Sequence, residues 1–345
     1  MKKIILIILD GWGIAPYWAG NILGLAELPT YAKLLSSYPN SKLFAHGHYV
    51  GLPGNEMGNS EVGHLNIGAG RIVLQDSTII NKAIEDGTFG KNKYFKDLID
   101  KSKRNKRPVH VMGLLSNGMV HSSMEHLLSL IDFFKENDFN HVYFHIFTDG
   151  RDSPPQSGII YLTKLIEKIR ETQIGNVSSI SGRFYAMDRD NNWNRTRMAA
   201  DAISRNIGQY IYNPIKAVSD CYDNGINDEF LPPMVCVNEN NTAVSDMKDG
   251  DGLIFINFRH DRARQIIEKL KIYYKNLDIV GFIPYGTKDQ KGFDYQITSA
   301  FSPLRPTNHL TEYLSNLNIK HIKIAETEKY AHVTYFFNGL KTKEY

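Results

Sequence analysis

The sequence predicts an α/β fold in two domains, on three observations. Short apolar runs alternate along the chain with amphipathic helical patterns, which is the signature of helices layered on a largely parallel sheet. The chain has 345 residues, more than the ~250 at which single cores stop growing. Charged and hydrogen-bonding residues recur just after the apolar runs, where open α/β sheets bind ligands.

The runs Ile4–Leu9, Val109–Leu114, Val142–Phe147, Val177–Ile180, Leu253–Ile256, Ile279–Ile283 and Ile319–Ile324 read as strands. Lys2 and Lys3 before Ile4 resemble the start of a signal peptide. The apolar run that follows is short and ends at Asp10-Gly11, so a buried strand is predicted instead. Between the second and third strands, Ser122-x-x-Glu125 reads as a capping box. Met124, Leu127, Leu128, Ile131 and Phe134 then form one helical stripe. Ile159–Ile169 and Thr196–Ile207 read as further amphipathic helices. The sequence contains no internal repeat and no long linker.

Hydrophobic residues make up 42% and charged residues 22%, as in ordinary globular proteins. Forty basic against thirty-seven acidic residues give a net charge of +3, which makes no case for nucleic acid. The basic run Lys101, Lys103, Arg104, Lys106, Arg107 reads as a solvated helix end. Cys221 and Cys236 lack CxxC spacing, which speaks against a disulfide framework or a zinc site and suits a reducing cytoplasm. No segment reaches the ~20 apolar residues of a membrane span.

Groups follow five of the strands in a consistent way. Asp10-Gly11 follows the first and His121 comes after the second. Asp149-Gly150-Arg151-Asp152 follows the third, Ser181-Gly182-Arg183 the fourth, and Asn257 to Arg262 the fifth. Singly each reads as a loop salt bridge; together they describe a site for an anionic substrate. The glycine-rich run from Gly58 to Gly70 permits tight turns and close backbone approach. It lacks the Lys-Ser/Thr of a Walker loop and the spacing of a dinucleotide fingerprint. Within it, Asn59 or Ser60 caps a helix beginning at Glu61, a position that also favours phosphate. A serine hydroxyl becomes a nucleophile only with a base or a metal ion beside it. Asp10 either starts a turn with Gly11 or holds Mg²⁺ or Mn²⁺, which prefer oxygen ligands.

The strings ILDGWG, MGNSEVGHLNIGAGRI, HIFTDGRDSPP, SGRFYAMDRD, INFRHDRA and AETEKYAHVTYFFNG occur in order from residue 1 to about 339. In these the chain resembles the cofactor-independent phosphoglycerate mutases of the alkaline phosphatase superfamily. The resemblance implies a phosphatase domain interrupted by an inserted transferase domain, with the active site between them. It places the transferase domain at residues 75–304 and the front portion of the phosphatase domain at 1–74 and 305–345. It further implies that Ser60 accepts the phosphoryl group of 3-phosphoglycerate. The glycerate then reorients, and its 2-hydroxyl takes the phosphoryl group to give 2-phosphoglycerate.

Carried over motif by motif, Asp10 and Ser60 are ligands of one of two Mn²⁺ ions, with Mg²⁺ the alternative metal and no 2,3-bisphosphoglycerate required. His121 contacts substrate, Arg151 and Asp152 hold the glycerate, and Asp152 is the acid/base at its hydroxyls. Arg183, Arg189, Arg259, Arg262 and Lys329 bind substrate. Guanidinium forks suit a ligand carrying both a carboxylate and a phosphate. The bland alternative for Arg189 is a salt bridge with Asp188 or Asp190. His64, His260 and His332 are read as structural. A phosphopentose or phosphonate substrate is the rival that DGRD, SGR and NFRHDR argue against.

The family continues beyond this chain's Tyr345 with further metal ligands, and FNGLKTKEY departs from it at Leu340, where a second glycine is usual. A frameshift or early stop is therefore expected, and the chain is read as the product of a glycolytic isomerase gene. The alternatives are an inactive fragment or one half of a split enzyme needing a separate C-terminal chain. It is otherwise expected to be a cytoplasmic monomer without membrane or nucleic-acid partners. The apolar faces of Ile4–Leu9 are expected to be exposed in this chain and the half-domain to be unstable.

Overall fold

Seven-residue apolar strands at the centre of the chain organise the larger part of the molecule. A computed structural model describes residues 4–16, 20–286, 294, 297–302 and 305–345. The chain divides into two units, Met1–Gln75 with Leu304–Tyr345, and Asp76–Pro303.

In the second unit the strands are β1 (Val109–Leu115), β2 (Val142–Thr148), β3 (Asn176–Gly182), β4 (Gln209–Ile211), β5 (Met234–Cys236), β6 (Gly252–Phe255), β7 (Asp278–Gly281) and β8 (Thr298–Ser299). They form one sheet in the order β4-β5-β3-β2-β1-β6-β7-β8. Val109 lies opposite Val142 on one side and Gly252 on the other, both in parallel register. Among the described strand pairings only β3–β5 is antiparallel. Strands covered on both faces carry near-continuous apolar sequence, and every residue of β1 is buried. Phe144 and Phe147 of β2, Phe255 of β6, and Phe95, Phe133 and Phe134 of the covering helices fill the core. The chain winds from β1 out to β3 and returns beside β1 as β6. The carboxyl ends of β1 and β6 therefore border a topological switch point, where such sheets form a crevice.

The helix Met124–Glu136 buries Met124, Leu127, Ile131 and Phe134, as its stripe predicts. The capping box does not form. Ser123 occupies the cap position without a side-chain bond, and Ser122 Oγ instead donates to Leu114 O at 2.6 Å. A buried serine after β1 satisfies a carbonyl of that strand rather than the helix end. The basic run ends the helix Lys93–Asn105 and is largely exposed. Cys221 and Cys236 are buried and unpaired. Among the described residues no helix is long and apolar enough to cross a membrane.

The first unit differs from expectation. Its described residues contain helices, including Pro29–Ser37 and Ser60–Ala69, and no strand. Ile4–Leu9 and Ile319–Ile324 carry no regular secondary structure, and they are not buried: Ile4 is 91% exposed and Ile322 87%. An apolar run becomes a strand only with a neighbouring ladder to satisfy its backbone, and among the described residues none adjoins these two. Small clusters hold the unit, one of Val50, Leu52 and Val62 and another of Leu65, Ala69 and Val73 with Leu340 against it. Leu340, at the position of the expected glycine, has φ +63°, a region glycine enters without steric cost.

Candidate functional site

In the first unit, Ser60 is the opening residue of the helix Ser60–Ala69, and Asn59 is its cap, accepting from Val62 N at 3.0 Å. Ser60 Oγ donates to Asp10 Oδ2 at 2.7 Å. Lys329 Nζ lies 2.5 Å from the same Asp10 oxygen and donates to Ser60 Oγ at 3.1 Å. The hydrogen bond from Lys329 is the main cause holding the Asp10 carboxyl below its ordinary range, and Asp10 in turn raises the Lys329 ammonium. Lys329 ends the turn Thr327–Lys329, which leads into the five-residue helical turn His332–Phe336. That turn packs on the Ser60 helix at Gly68, where the carbonyl of Phe337 comes too close for any Cβ. The buried His64 places Nδ1 2.8 Å from Ser60 O and its ring 5.3 Å from that of His332.

Asp10 and Ser60 supply two oxygen donors toward a divalent ion, which wants about six. Among the described residues no group of three His, Cys, Asp or Glu side chains converges, and the Asp10 carboxylate is already engaged by an ammonium. These residues do not by themselves fit a complete metal site.

In the second unit, the loops leaving β1, β2, β3 and β6 bring the other singled-out residues to the carboxyl edge of the sheet. Asp10-Gly11, expected at the end of a strand, instead follows the unpaired Ile4–Leu9. Arg183, 3% exposed, opens the short helix after β3, and its Nη1 donates to Asp149 Oδ1 and Asp152 Oδ2, each at 2.5 Å. His121 Nε2 is 3.8 Å from Asp152 Oδ2, and its buried Nδ1 meets no partner among the described residues. Burial, with the Arg183 charge second, pushes His121 down to about 4, so its ring is neutral at pH 7. Phe258 N donates to His121 O at 2.7 Å, tying the loop after β6 to the loop after β1.

Arg189 pairs with Asp261 at 2.5 Å, not with Asp188 or Asp190, and Arg259 reaches Asp261 at 3.2 Å. Asp188 is occupied by Gln265, Asn192 and Arg195. Arg262 Nη1 donates to Met187 O at 3.1 Å. Burial and the like charges of Arg189 and Arg183 push its guanidinium down, so an anion placed there would relieve crowded cations. Arg151 is exposed and lies 3.6 Å from Glu229. Asp149 and Asp261, whose carboxylates hold these arginines, carry no individual assignment from the sequence. The only signal for either was its place beside arginines at a strand end.

Fold and site thus define an α/β protein with a buried arginine-carboxylate cluster at one sheet edge and, in its other unit, a serine held between a carboxylate and an ammonium. The model of the BPG-independent phosphoglycerate mutase N-terminus matches residues 80–297. The 2,3-bisphosphoglycerate-independent phosphoglycerate mutase of Clostridium beijerinckii is 44% identical over 350 residues, covering 99% of this chain and 67% of that protein. That of Methanococcoides burtonii is 44% identical over 345 residues, covering 98% and 66%. A crystal structure of Leishmania mexicana phosphoglycerate mutase at low cobalt concentration superposes with a TM-score of 0.75 at 26% identity, over 98% of this chain and 64% of that one. The chain belongs to the BPG-independent phosphoglycerate mutase family. It spans about two thirds of the length of the curated relatives it matches.

Proposed function

We propose that the chain carries the chemistry of 3-phosphoglycerate and 2-phosphoglycerate interconversion through a phosphoserine at Ser60, without 2,3-bisphosphoglycerate. The observation that carries this reading is the Ser60 hydroxyl held between Asp10 and Lys329. Ser60 Oγ bonds to phosphorus as the bond to the glycerate 3-oxygen breaks, and the serine proton leaves by way of Asp10. The released oxygen gains a proton and becomes a hydroxyl. The second half runs in reverse at the 2-oxygen. Lys329 offsets charge on the transferred group, since phosphoryl transfer depends chiefly on positioning and neutralisation.

Residues 1–74 and 305–345 are assigned to the phosphatase domain and 75–304 to the transferase domain. In the latter, Arg151, Arg183, Arg189, Arg259 and Arg262 hold the carboxylate and phosphate, His121 contacts substrate, and Asp152 exchanges protons with the glycerate hydroxyls. A divalent ion, Mn²⁺ or Mg²⁺, would add neutralising charge with Asp10 and Ser60 among its oxygens. The described residues do not complete that site. Incubation with 3-phosphoglycerate followed by tandem mass spectrometry tests the reading. Phosphate on Ser60, abolished in Ser60→Ala, is expected; an unmodified Ser60 in the parent overturns it.

A second reading is that turnover needs a further polypeptide to cover the first unit. The exposed apolar runs Ile4–Leu9 and Ile319–Ile324 favour it. An ordinary turnover rate by the purified chain alone would reject it.

A further inference from the structure

Asp149, at the carboxyl end of β2, is a buried carboxylate that holds together three loops of the second unit. Its Oδ2 accepts from Ser116 Oγ at 2.5 Å. Its Oδ1 accepts from Arg151 N at 3.2 Å, Asp152 N at 3.0 Å and Arg183 Nη1 at 2.5 Å. Ser116 Oγ accepts in turn from Gly118 N at 2.9 Å, and Gly118 lies so close to Asp152 that a Cβ would meet that residue's backbone. One side chain therefore fixes the loop after β1, the turn after β2 and the first residue after β3.

The Arg183 guanidinium has five N–H donors. Only Nη1 is used by the protein among the described residues, shared between Asp149 and Asp152. Nε and Nη2 are left for a ligand, on a fork whose orientation Asp149 sets. We propose that Asp149 is a positioning residue for anion binding. It fixes Arg183 and the backbone of Arg151 and Asp152 in their binding arrangement without touching the ligand. The identity of that ligand, phosphoglycerate, rests on the function proposed above.

Asp149→Asn separates positioning from charge. The amide keeps the size but cannot accept from both Ser116 and Arg183. On charge alone, removing an anion would tighten the binding of 3-phosphoglycerate. Loss of positioning weakens it, by roughly tenfold or more for a buried charged hydrogen bond. The full chain is titrated with 3-phosphoglycerate by calorimetry, and the Arg183 side-chain NH signals are followed by NMR. The expected result is weaker binding and loss of the slowly exchanging Arg183 signal in Asp149→Asn, with a smaller loss of affinity in Ser116→Ala. Unchanged or tighter binding by Asp149→Asn overturns the proposal. If the parent does not bind 3-phosphoglycerate, the phosphoglycerate reading fails. The Arg183 signal then decides the positioning role by itself: its loss in the variant supports the role and its persistence overturns it. Should Asp149→Asn not fold, Ser116→Ala carries the test with the same two outcomes.

Discussion

Lys329 Nζ lies 2.5 Å from Asp10 Oδ2, so a turn late in the chain supplies the counter-ion of a carboxylate near its start. Both groups also hydrogen-bond Ser60, which couples the charge state of the pair to the hydroxyl between them. Lys329→Ala should reduce phosphoserine formation by roughly 10²- to 10³-fold, the usual effect of deleting a donor aimed at developing charge. Quantitative mass spectrometry of Ser60 phosphate against time checks this. Because the Asp10 carboxyl is held low, the pair persists above that group's ordinary titration range and is lost as pH falls through its lowered value. An unaltered rate in Lys329→Ala would remove it from the chemistry.

Buried histidines set the acid stability of the second unit. Burial drives His126 down to about 3 and His121 to about 4 from an ordinary 6.5. The unfolded chain therefore binds more protons below pH 6.5, and stability falls as pH drops from 6.5 toward 3 to 4. Each unit of difference is about 1.4 kcal/mol. His126→Gln, which can still meet Asn81, should flatten this slope in denaturant melts recorded at several pH values. A slope identical to the parent's would contradict the assignment.

Arg183 neutralises two carboxylates from inside the fold. Arg183→Ala should destabilise the second unit by about 3–5 kcal/mol, the cost of leaving buried charge uncompensated. Arg183→Lys should recover only part, because an ammonium lacks the planar fork. Urea unfolding monitored by circular dichroism gives both numbers, and a loss below about 1 kcal/mol in the alanine variant would show the cluster to be solvated.

The two units should differ in resistance to proteolysis. Exposed, unladdered runs such as Ile4–Leu9 and Ile319–Ile324 open at low free-energy cost. Brief trypsin digestion should cut after the exposed Lys320 before any lysine or arginine between residues 109 and 182. Ile5→Lys with Ile7→Lys should reduce aggregation without changing the far-ultraviolet spectrum. Earlier cleavage after Lys135, Lys164 or Lys168, in the helices that join β1 to β3, would reverse the expected ranking.

The parallel sheet was legible because β1, β2 and β6 are largely apolar on both faces, a pattern local enough to read along the chain. The stripe of the helix Met124–Glu136 was legible for the same reason. Ser122 misled because a serine three residues before a glutamate fits a capping box equally well when its hydroxyl is claimed by the Leu114 carbonyl of an adjacent strand. The alternative to substrate binding for Arg189 was a pair with its neighbours Asp188 or Asp190, whereas its partner Asp261 comes from another strand's loop.

By itself the sequence determined the α/β class, the residues that follow the strands of the second unit and, through long motifs, the family. Periodicity and motif spacing are properties of adjacent positions, so no structure was needed to read them. Only the tertiary structure decided which charges pair. It gave Asp149 three loops to hold and set Lys329 on Asp10. It also left Ile4–Leu9 an exposed segment outside any strand, because a strand exists only where another chain segment satisfies its backbone.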